Sequence, residues 1–366
     1  MDQQAMSELI RSNIKNMKGY SWGEQPASST DVIKLNTNEN AYPPSAEIKK
    51  SLKAIELEHL RAYPVPMGDE LRDAIAKHHG LAKQNIVLTN GGDEGLRLAM
   101  TTLVDPLEVF SYAEPSYSLY PVLASIQNAT IRSIPYAEDW LLPTGFAEEI
   151  ESYDAKLTCI VNPHAPSGAL YDTEQISKIA EKISGVLLID EAYADFVDPK
   201  LNYNSFDLIN RHDNILILRS FSKGYSLAGL RLAYLAGNPE LIETIANKTR
   251  DSYNVGYIQQ MVGLAAIKDQ SHASFIWSKV RENREHLRTE LARLGLSSPQ
   301  TQSNFILATV GNSQEVEAKD LYLRLKKKKI FIRHFQTAHL KDKIRVTVGT
   351  PEQNSSLIKE IERILG

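Results

Sequence analysis

The sequence is poor in the features that mark disulfide-bonded, membrane-spanning and nucleic-acid-coating proteins. Its 366 residues contain one cysteine, so we expect no disulfide and no thiol chemistry. No apolar run approaches the roughly 20 residues that span a bilayer, and the start MDQQAMSELIRSNIKN is too polar for a signal peptide. The net charge of -4 gives no basis for bulk binding to nucleic acid or to an anionic membrane. We therefore expect a cytoplasmic protein that acts on a small molecule, without a nucleic-acid or membrane partner.

Three further features favour ordinary structural roles. The histidines show no ligand spacing with acids or cysteines, so we predict no metal site. Cys159 lies in the apolar run LTCIV, which is typical of a buried strand residue. The basic run 326–329 follows DLYLRL and is typical of a solvated helix end rather than of a phosphate-binding patch.

The pattern of apolar runs predicts an α/β fold. Between about residues 85 and 240, short apolar runs alternate with amphipathic stretches, which indicates a mostly parallel sheet with helices on both faces. Seven strands are predicted, namely IVLT (86–89), EVFS (108–111), TIRSI (130–134), LTCIV (157–161), GVLLI (185–189), NILILR (214–219) and LAYLA (232–236).

The remaining segments predict an arm and a smaller α+β domain. After Tyr257 about forty residues have a helical pattern, and the apolar runs NFILATV, IFIRHF and IRVTV follow. Pro43 and Pro44 close off an N-terminal stretch without strong periodicity. We expect an arm over 1–40 that packs with the small domain, a large cofactor-binding domain over 41–260 and a small domain over 261–366.

A lysine follows the apolar strand in ILILRSFSKGYSLAGLR. Lys223 lies at the carboxyl edge of the predicted sheet, where ligands bind in open α/β folds, and an amine there forms an imine with an aldehyde cofactor. Ser220, Ser222 and Arg231 would supply hydroxyl and guanidinium donors to a phosphate. The alternative is a solvent-exposed lysine in a loop between a strand and a helix.

An acid follows the strand in GVLLIDEAYADF. Asp190 comes directly after four apolar residues, and a buried carboxylate needs a partner. A pyridinium N–H is a suitable one, because the acid would keep the ring nitrogen protonated. Tyr193 lies three residues further on, within reach of the phenolic oxygen of the same ring. The alternative is that Asp190 caps the next turn.

Two more segments carry candidate contacts. In CIVNPHAPSG, two prolines and a glycine predict a rigid loop that aims Asn162 across the strand ends, although it would also suit a plain turn. In IVLTNGGDEGLRLAM, the backbone N–H groups of Gly92, Asp93 and Glu94 open a helix, and such a helix start binds anions. The alternative is that Asp93 only caps this helix.

Taken together, the chain resembles the fold-type I pyridoxal phosphate (PLP) dependent enzymes and, within them, the histidinol-phosphate aminotransferase family. Nine segments in the family's order carry this resemblance over nearly the whole chain: LNTNENAYPPS, RAYPVPMGDELRDAIAKHHG, GGDE, EPSYSLY, NPHAPSG, DEAY, SFSKGYSLAGLR, SYNVG and RVTVG.

The resemblance implies a full set of site residues. Lys223 would carry PLP as a Schiff base, with Asp190 at the ring nitrogen, Tyr117 stacked on the ring, and Asn162 and Tyr193 at the phenolic oxygen. The groups at the cofactor phosphate would be Gly92, Asp93, Ser220, Ser222 and Arg231. Tyr63 would reach in from the other subunit of a homodimer with shared active sites. The substrate would be bound by Tyr20, Asn162, Arg333 and Arg345. From the residues alone, either arginine would also suit a surface ion pair.

The reaction implied is a ping-pong transfer of an amino group from an amino donor to a 2-oxo acid, with Lys223 as the base. Histidinol phosphate with 2-oxoglutarate, a step of histidine biosynthesis, is the substrate pair that the resemblance favours. An aromatic amino acid aminotransferase and a decarboxylase similar to threonine-phosphate decarboxylase are the alternatives. The ligand-sensing half of a transcription regulator is an alternative of another class, but we expect no DNA-binding segment before the arm.

The chain departs from the family's usual pattern at four positions. His164, Ala165 and Ser167 replace residues of the usual Asn-Pro-Asn-Asn-Pro-Thr-Gly segment, and Ser252 stands where proline often precedes Tyr-Asn-Val. We expect His164 and its neighbours near the rim of the pocket. These departures therefore leave the identity of the substrate open.

Overall fold

The computed structural model describes residues 8–26, 31–311 and 315–366. Its strands are β1 (Ile33–Lys34), β2 (Ile86–Thr89), β3 (Val109–Glu114), β4 (Thr130–Pro135), β5 (Ala155–Val161), β6 (Val186–Asp190), β7 (Ile215–Ser220), β8 (Ala233–Gly237), β9 (Leu296–Ser297), β10 (Phe305–Val310), β11 (Ile330–Phe331), β12 (Arg333–His334) and β13 (Lys343–Thr347). Its α-helices are α1 (Ser12–Asn16), α2 (Ala46–Lys53), α3 (Asp69–His78), α4 (Gly92–Leu103), α5 (Leu119–Gln127), α6 (Phe146–Ser152), α7 (Thr173–Lys182), α8 (Pro239–Thr244), α9 (Tyr257–Lys268), α10 (Gln270–Arg293), α11 (Ala318–Lys327) and α12 (Pro351–Leu365).

A seven-stranded sheet forms the centre of the molecule. Its strand order is β2-β8-β7-β6-β5-β3-β4, and β8 runs in the opposite direction to the other six strands. Each of the seven predicted apolar runs corresponds to one of these strands, so the prediction of a mostly parallel sheet is confirmed. Such strands read as continuous apolar runs because both of their faces are covered.

The two faces of the sheet have separate cores. Cys159, Leu188 and Leu218 belong to one apolar cluster, and we call their side of the sheet the front face. Ile160 and Ile189 belong to the other cluster, and we call their side the back face. Successive side chains on a strand point to opposite faces of the sheet. The face of each residue at or just beyond a strand end therefore follows from the face of the residue before it. Cys159 is buried as predicted.

The C-terminal third forms a second sheet. Its antiparallel strands have the order β12-β13-β10-β9. The side chains of α10, α11 and α12 form one apolar cluster with these strands. The helical stretch predicted after Tyr257 is confirmed as α9 and α10, and the run 326–329 falls at the end of α11, as predicted.

The N-terminal stretch is held at two places. Strand β1 pairs in parallel with β11, with Ile33 opposite Ile330. Near α1, the side-chain amide of Asn13 donates a hydrogen bond of 2.8 Å to the backbone oxygen of Ser125 in α5. Residues before β1 therefore contact a helix that covers the central sheet. Within the ranges described above, no helix is both long and apolar enough to cross a membrane.

Candidate active site

The carboxyl edge of the central sheet carries an amine and an acid. Lys223 lies three residues beyond the end of β7, and Asp190 is the last residue of the adjacent strand β6. The Lys223 Nζ donates a hydrogen bond of 2.9 Å to the backbone oxygen of Thr37. Burial lowers the pKa of Lys223 to about 8, against the opposing effect of Glu39 and with a further lowering by Arg345. The amine is therefore far more nucleophilic at neutral pH than an exposed lysine.

Asp190 is held in place by two hydrogen bonds. It is 6% exposed, and the Tyr120 hydroxyl donates to its Oδ2 at 2.9 Å while the Ala192 backbone N–H donates to its Oδ1 at 3.2 Å. Burial raises the pKa of Asp190 to about 6 despite these donors. A cationic partner at this position would stabilise the carboxylate. Tyr120 was missed by sequence reasoning, although it lies one helical turn after Tyr117.

Three predicted tyrosines lie close to this edge. The Tyr193 hydroxyl accepts a hydrogen bond of 3.0 Å from the side-chain amide of Asn38, and burial raises its pKa. Tyr117 packs edge to face against Tyr120, with ring centroids 5.7 Å apart. Tyr20, from the N-terminal stretch, also packs edge to face against Tyr117, with ring centroids 5.8 Å apart. Tyr20, Tyr117 and Tyr193 all pack against the front-face core, where the ring centroids of Tyr193 and Phe305 are 5.0 Å apart.

A glycine and an arginine form a cradle at the start of α4. Gly91 has a positive φ of 80°, and a Cβ placed there would lie 2.6 Å from the Arg231 Nη2. Arg231, also at positive φ, pairs with Asp93 at 3.2 Å. The first backbone N–H groups of a helix, here from Gly92 onward, have no partner within the helix. This arrangement of free N–H groups and a guanidinium suits a phosphate.

Three other predicted phosphate contacts, Ser220, Ser222 and Glu94, have hydrogen bonds of their own. The Ser222 backbone N–H donates to the Ser220 Oγ at 3.0 Å, directly before Lys223. The Glu94 carboxylate instead accepts a hydrogen bond of 2.7 Å from the side-chain amide of Asn254. The predicted role of Glu94 concerns its backbone N–H alone, so this side-chain contact leaves that prediction open.

The two predicted substrate arginines are neighbours on adjacent strands. Arg333 in β12 pairs with Arg345 in β13, and both guanidiniums lie over the ring of Phe335, at 5.7 and 5.6 Å from its centroid. The Arg345 Nη2 donates to the backbone oxygen of Asn36 at 3.3 Å, but its buried Nε has no hydrogen-bond partner in the described part of the chain. Burial lowers the pKa of Arg345, and the charge of Arg333 lowers it further. Such a pair is suited to binding an anion.

Asn162 does not have the free donor that the sequence suggested. Its side-chain amide is completely buried and donates both hydrogens, to the Tyr203 hydroxyl at 2.8 Å and to the Tyr171 backbone oxygen at 3.0 Å. Val161 is the register partner of Asp190 and faces the front, so the next residue turns to the back face. Asn162 therefore has no free donor for the phenolic oxygen of a cofactor on the front face, and none for a substrate.

His164 does not lie at a pocket rim, contrary to our expectation. It is completely buried, with its Nε2 2.9 Å from the Pro115 backbone oxygen and its Nδ1 2.7 Å from the Ser167 Oγ. A carbonyl oxygen only accepts, so the proton lies on Nε2. Burial lowers the pKa of His164 to about 4, so the ring is neutral at physiological pH. His164 and Ser167 therefore shape the loop rather than contact a substrate.

Tyr63 lies apart from the other predicted residues. Its side chain is 80% exposed and stacks on Tyr253, with ring centroids 4.4 Å apart. Sequence reasoning also missed the specific contacts of Thr37, Asn38 and Glu39 at the amine and at Tyr193. Their signal was present in the segment LNTNENAYPPS, where five consecutive polar residues, 36–40, come shortly before a proline pair.

Comparison with known proteins defines the class. Residues 30–361 match the family described as Aminotransferase class I and II. Histidinol-phosphate aminotransferase 1 of Trichormus variabilis is 40% identical over 98% of this chain and 100% of its own length. Histidinol-phosphate aminotransferase of Rippkaea orientalis is 38% identical over 98% of this chain and 99% of its own length. The chain belongs to the class I and II aminotransferases, in the family of histidinol-phosphate aminotransferases.

Solved structures share the fold. Histidinol-phosphate aminotransferase from Sinorhizobium meliloti, in complex with pyridoxal-5'-phosphate, has a TM-score of 0.83 at 22% identity and covers 91% of both chains. L-threonine-O-3-phosphate decarboxylase from Porphyromonas gingivalis has a TM-score of 0.77 at 20% identity, covering 91% of this chain and 99% of its own. The predicted fold-type I architecture is confirmed by these neighbours.

Proposed function

We propose that this aminotransferase uses PLP held at Lys223 and that histidinol phosphate is its preferred amino donor, with 2-oxoglutarate as acceptor. The observation that carries the proposal is that an amine of lowered pKa and a buried acid lie at one edge of the central sheet, and that the charge of Arg345, from the arginine pair of the second sheet, acts on this amine. The names of relatives 38 to 40% identical over nearly the full chain support the choice of substrate.

The residues present fit PLP. Gly91 leaves room for a phosphate against Arg231, where any larger residue would collide with the guanidinium. Asp190 is a buried acid of raised pKa that an adjoining ring N–H would stabilise. Tyr117 would cover the ring, and Tyr193 would meet the phenolic oxygen without help from Asn162. The remaining phosphate contacts would be Gly92, Asp93, the Glu94 backbone N–H, Ser220 and Ser222.

When bound, PLP supplies an aldehyde that condenses with amines and a ring that withdraws electrons. Lys223 would hold this group, and the Lys223 amine would be the base that takes a proton from the α-carbon of the amino donor. Asp190 would keep the ring nitrogen protonated and therefore cationic. Burial of the lysine matters because a base with a pKa near the working pH is the most effective at transferring protons.

The arginine pair would bind the anionic end of each substrate. Arg345 and Arg333 each have a planar guanidinium group that can bind a phosphate or a carboxylate through two hydrogen bonds, and Tyr20 would add a hydroxyl. Histidinol phosphate and glutamate would therefore use the same groups in turn. Use of one anion site by both substrates agrees with ping-pong kinetics.

A panel of single half-reactions tests the substrate. The PLP-loaded protein is mixed with histidinol phosphate, an aromatic amino acid, glutamate or threonine phosphate, and the loss of the aldehyde colour is followed. We expect the fastest loss with histidinol phosphate and none in a Lys223→Ala variant. A faster reaction with the aromatic amino acid, or carbon dioxide release from threonine phosphate with return of the colour, would contradict the choice of substrate.

The surface around Tyr63 supports a homodimer with shared sites. Leu57, Tyr63, Val65 and Tyr253 are 81, 80, 54 and 44% exposed, which is unusual for apolar side chains gathered near one another. A second copy of the chain would cover them and receive Tyr63 at its cofactor phosphate. The division into 1–40, 41–260 and 261–366 and the cytoplasmic location remain predictions.

A further inference from the structure

A buried polar network lies on the back face of the central sheet, directly behind the active site. Five residues form what we call the back-face network, namely Asn162, Glu191, Asp195, Tyr203 and Arg219. Glu191 and Asp195 are 0 and 3% exposed at their side chains, and Arg219 is 14% exposed. Charges are this deeply buried only when they are well paired.

The hydrogen bonds of the network run without a break across three strand ends. Asn162, after β5, donates to the Tyr203 hydroxyl, which donates to Glu191, after β6. Arg219, in β7, donates to Glu191 at 3.2 Å and to Asp195. Every link is therefore between segments that end at the same edge of the sheet.

The electrostatics show that the ion pairs hold the network together. Burial raises the pKa of both Glu191 and Asp195, and the charge of Arg219 opposes that rise in each case. Burial alone would lower the pKa of Arg219, but Asp195 and Glu191 reverse the effect. Loss of one charged member would leave another charge buried without a partner, which strongly destabilises the folded structure around it.

The network is tied to both residues of the proposed cofactor site. Glu191 directly follows Asp190, and its side chain faces the back while that of Asp190 faces the front. At the other end, a Cβ placed on Gly224 would lie 1.9 Å from the Asp195 Oδ2, so Asp195 packs against the backbone next to Lys223. A shift of the network would move Asp190 and Lys223 relative to each other.

We propose that the back-face network consists of positioning residues, which fix the spacing between Asp190 and Lys223 from the opposite side of the sheet. This inference rests on the proposed PLP chemistry at Lys223. It assigns Asn162 a role behind the site in place of the cofactor contact that its sequence position suggested. Precise placement of reacting groups contributes strongly to catalysis, and small displacements cost large factors in rate.

Tyr203→Phe is the most conservative test, because it removes only the hydroxyl that joins Asn162 to Glu191. Tyr171→Phe is the control: Tyr171 is buried where Tyr203 is half-buried, and the Tyr171 hydroxyl donates outside the network, to the Trp140 backbone oxygen at 2.9 Å. For both variants, PLP is titrated into the apo protein and Schiff-base absorbance gives the affinity. Thermal unfolding of the apo protein is measured beside it, and kcat is expressed per PLP-loaded site.

We expect Tyr203→Phe to lower kcat per loaded site at least tenfold and to weaken PLP binding, with the KM for the amino donor little changed. Tyr171→Phe should match the wild type in kcat and PLP affinity at a similar unfolding temperature. Equal kcat per loaded site in the two variants would overturn the inference. If the wild type itself formed no Schiff base with PLP, the proposed function would fail instead.

A glycine pair tests the Asp195 end of the network. Gly224→Ala must displace the Asp195 carboxylate, whereas Gly229→Ala, in the same connection between β7 and β8, meets no atom within 4 Å. Neither glycine has a positive φ, so backbone strain does not separate the two variants. We expect the loss of kcat per loaded site only in Gly224→Ala. An unchanged Gly224→Ala enzyme would contradict a link between Asp195 and Lys223.

Discussion

Arg333 and Arg345 are direct register partners on two antiparallel strands and share the ring of Phe335. Like charges in this arrangement destabilise a sheet by up to about 1 kcal/mol. A bound dianion would remove that repulsion and satisfy the unpaired Nε of Arg345. The pair is therefore better suited to binding a ligand than to stabilising the fold.

Arg345→Gln should show whether Arg345 binds the substrate or stabilises the fold. Loss of a charge-assisted hydrogen bond costs about 1.5 to 3 kcal/mol, so the KM for donor and acceptor should rise roughly 10- to 100-fold. The apo protein should unfold at the same or a higher temperature, because a buried like-charge contact is gone. Arg293→Gln, which changes an exposed arginine paired with Glu362, is the control and should leave both KM values unchanged. A stable fold with unaltered KM for Arg345→Gln would refute the assignment.

Gly91→Ala should weaken PLP binding more than it weakens the fold. Gly145→Ala is the control for a positive φ, because Gly145 has a φ of 84° and nothing within 4 Å of a Cβ. The ψ angles differ, at 168° for Gly91 and 7° for Gly145, so the backbone cost of alanine, on the order of 1 to 3 kcal/mol, is larger at position 91. Only the alanine at position 91 displaces Arg231, so we expect a tenfold or greater loss of PLP affinity there alone. Equal affinities in titrations of the two variants would remove Arg231 from the phosphate site.

The rate of PLP loading should titrate with the Lys223 amine. The neutral amine reacts with the aldehyde, and the pKa of Lys223 is lowered to about 8. The rate constant for Schiff-base formation should thus rise about tenfold per pH unit below 8 and level off above it. Stopped-flow mixing of apo protein with PLP measures this profile, and Lys223→Ala should show no such phase. A rise that continued to pH 10 would indicate an exposed lysine.

Asp190→Asn should stabilise the apo protein while it disables the enzyme. The folded pKa of about 6 lies above the ordinary 3.8, so the protonated acid favours folding. That contribution is complete below pH 3.8 and is lost as the pH rises through 6. At pH 7.5 the neutral amide should therefore gain about 2 to 3 kcal/mol over the carboxylate, and the gain should vanish near pH 4. Chemical denaturation at both pH values measures it.

The activity of Asp190→Asn provides the second half of that test. An amide cannot keep a ring nitrogen protonated, so turnover should fall by orders of magnitude even as stability rises. A variant that was both less stable and fully active would show that Asp190 is a structural acid.

Mixed dimers test whether Tyr63 serves the partner's site. Lys223→Ala homodimers should be inactive, and Tyr63→Ala homodimers should be only weakly active. In a hybrid dimer, the Tyr63→Ala subunit supplies Lys223 and the Lys223→Ala subunit supplies Tyr63 to the same site. One native site is thereby restored. Activity should therefore appear when the two variants are unfolded, mixed and refolded together. No recovery, with hybrids verified by a tag on one chain, would place Tyr63 outside the partner's site.

Much of this architecture followed from local pattern. The strands of the central sheet are buried on both faces, so their apolar runs stood out, and Lys223 and Asp190 followed as the polar residues after two of them. Arg333 and Arg345 were found singly, but their pairing was not predicted because it depends on the register between two strands. Tyr20 was likewise placed only by resemblance, since its neighbour Tyr117 is almost a hundred positions away in the chain.

The errors concern the direction of side chains. Asn162 was expected to reach the cofactor because it follows a strand, but the alternation of side chains places it behind the sheet. His164 was expected at the rim of the pocket, yet the loop folds its ring inward, and the ring centroids of His164 and Tyr136 are 4.0 Å apart. The ion pairs of Arg219 with Glu191 and Asp195 were not predicted, because only the fold brings these residues together.

The pairing of β1 with β11 joins residues 33 and 330. On a ribosome, the first of these emerges long before the second has been synthesised. The backbone oxygen that accepts the hydrogen bond from the Lys223 amine belongs to Thr37, just beyond β1. Thr37 therefore reaches its final place only when the last quarter of the polypeptide has been synthesised. A nascent chain can therefore complete its central sheet while it still lacks a finished reaction centre, and cofactor capture should be among the last events of biogenesis.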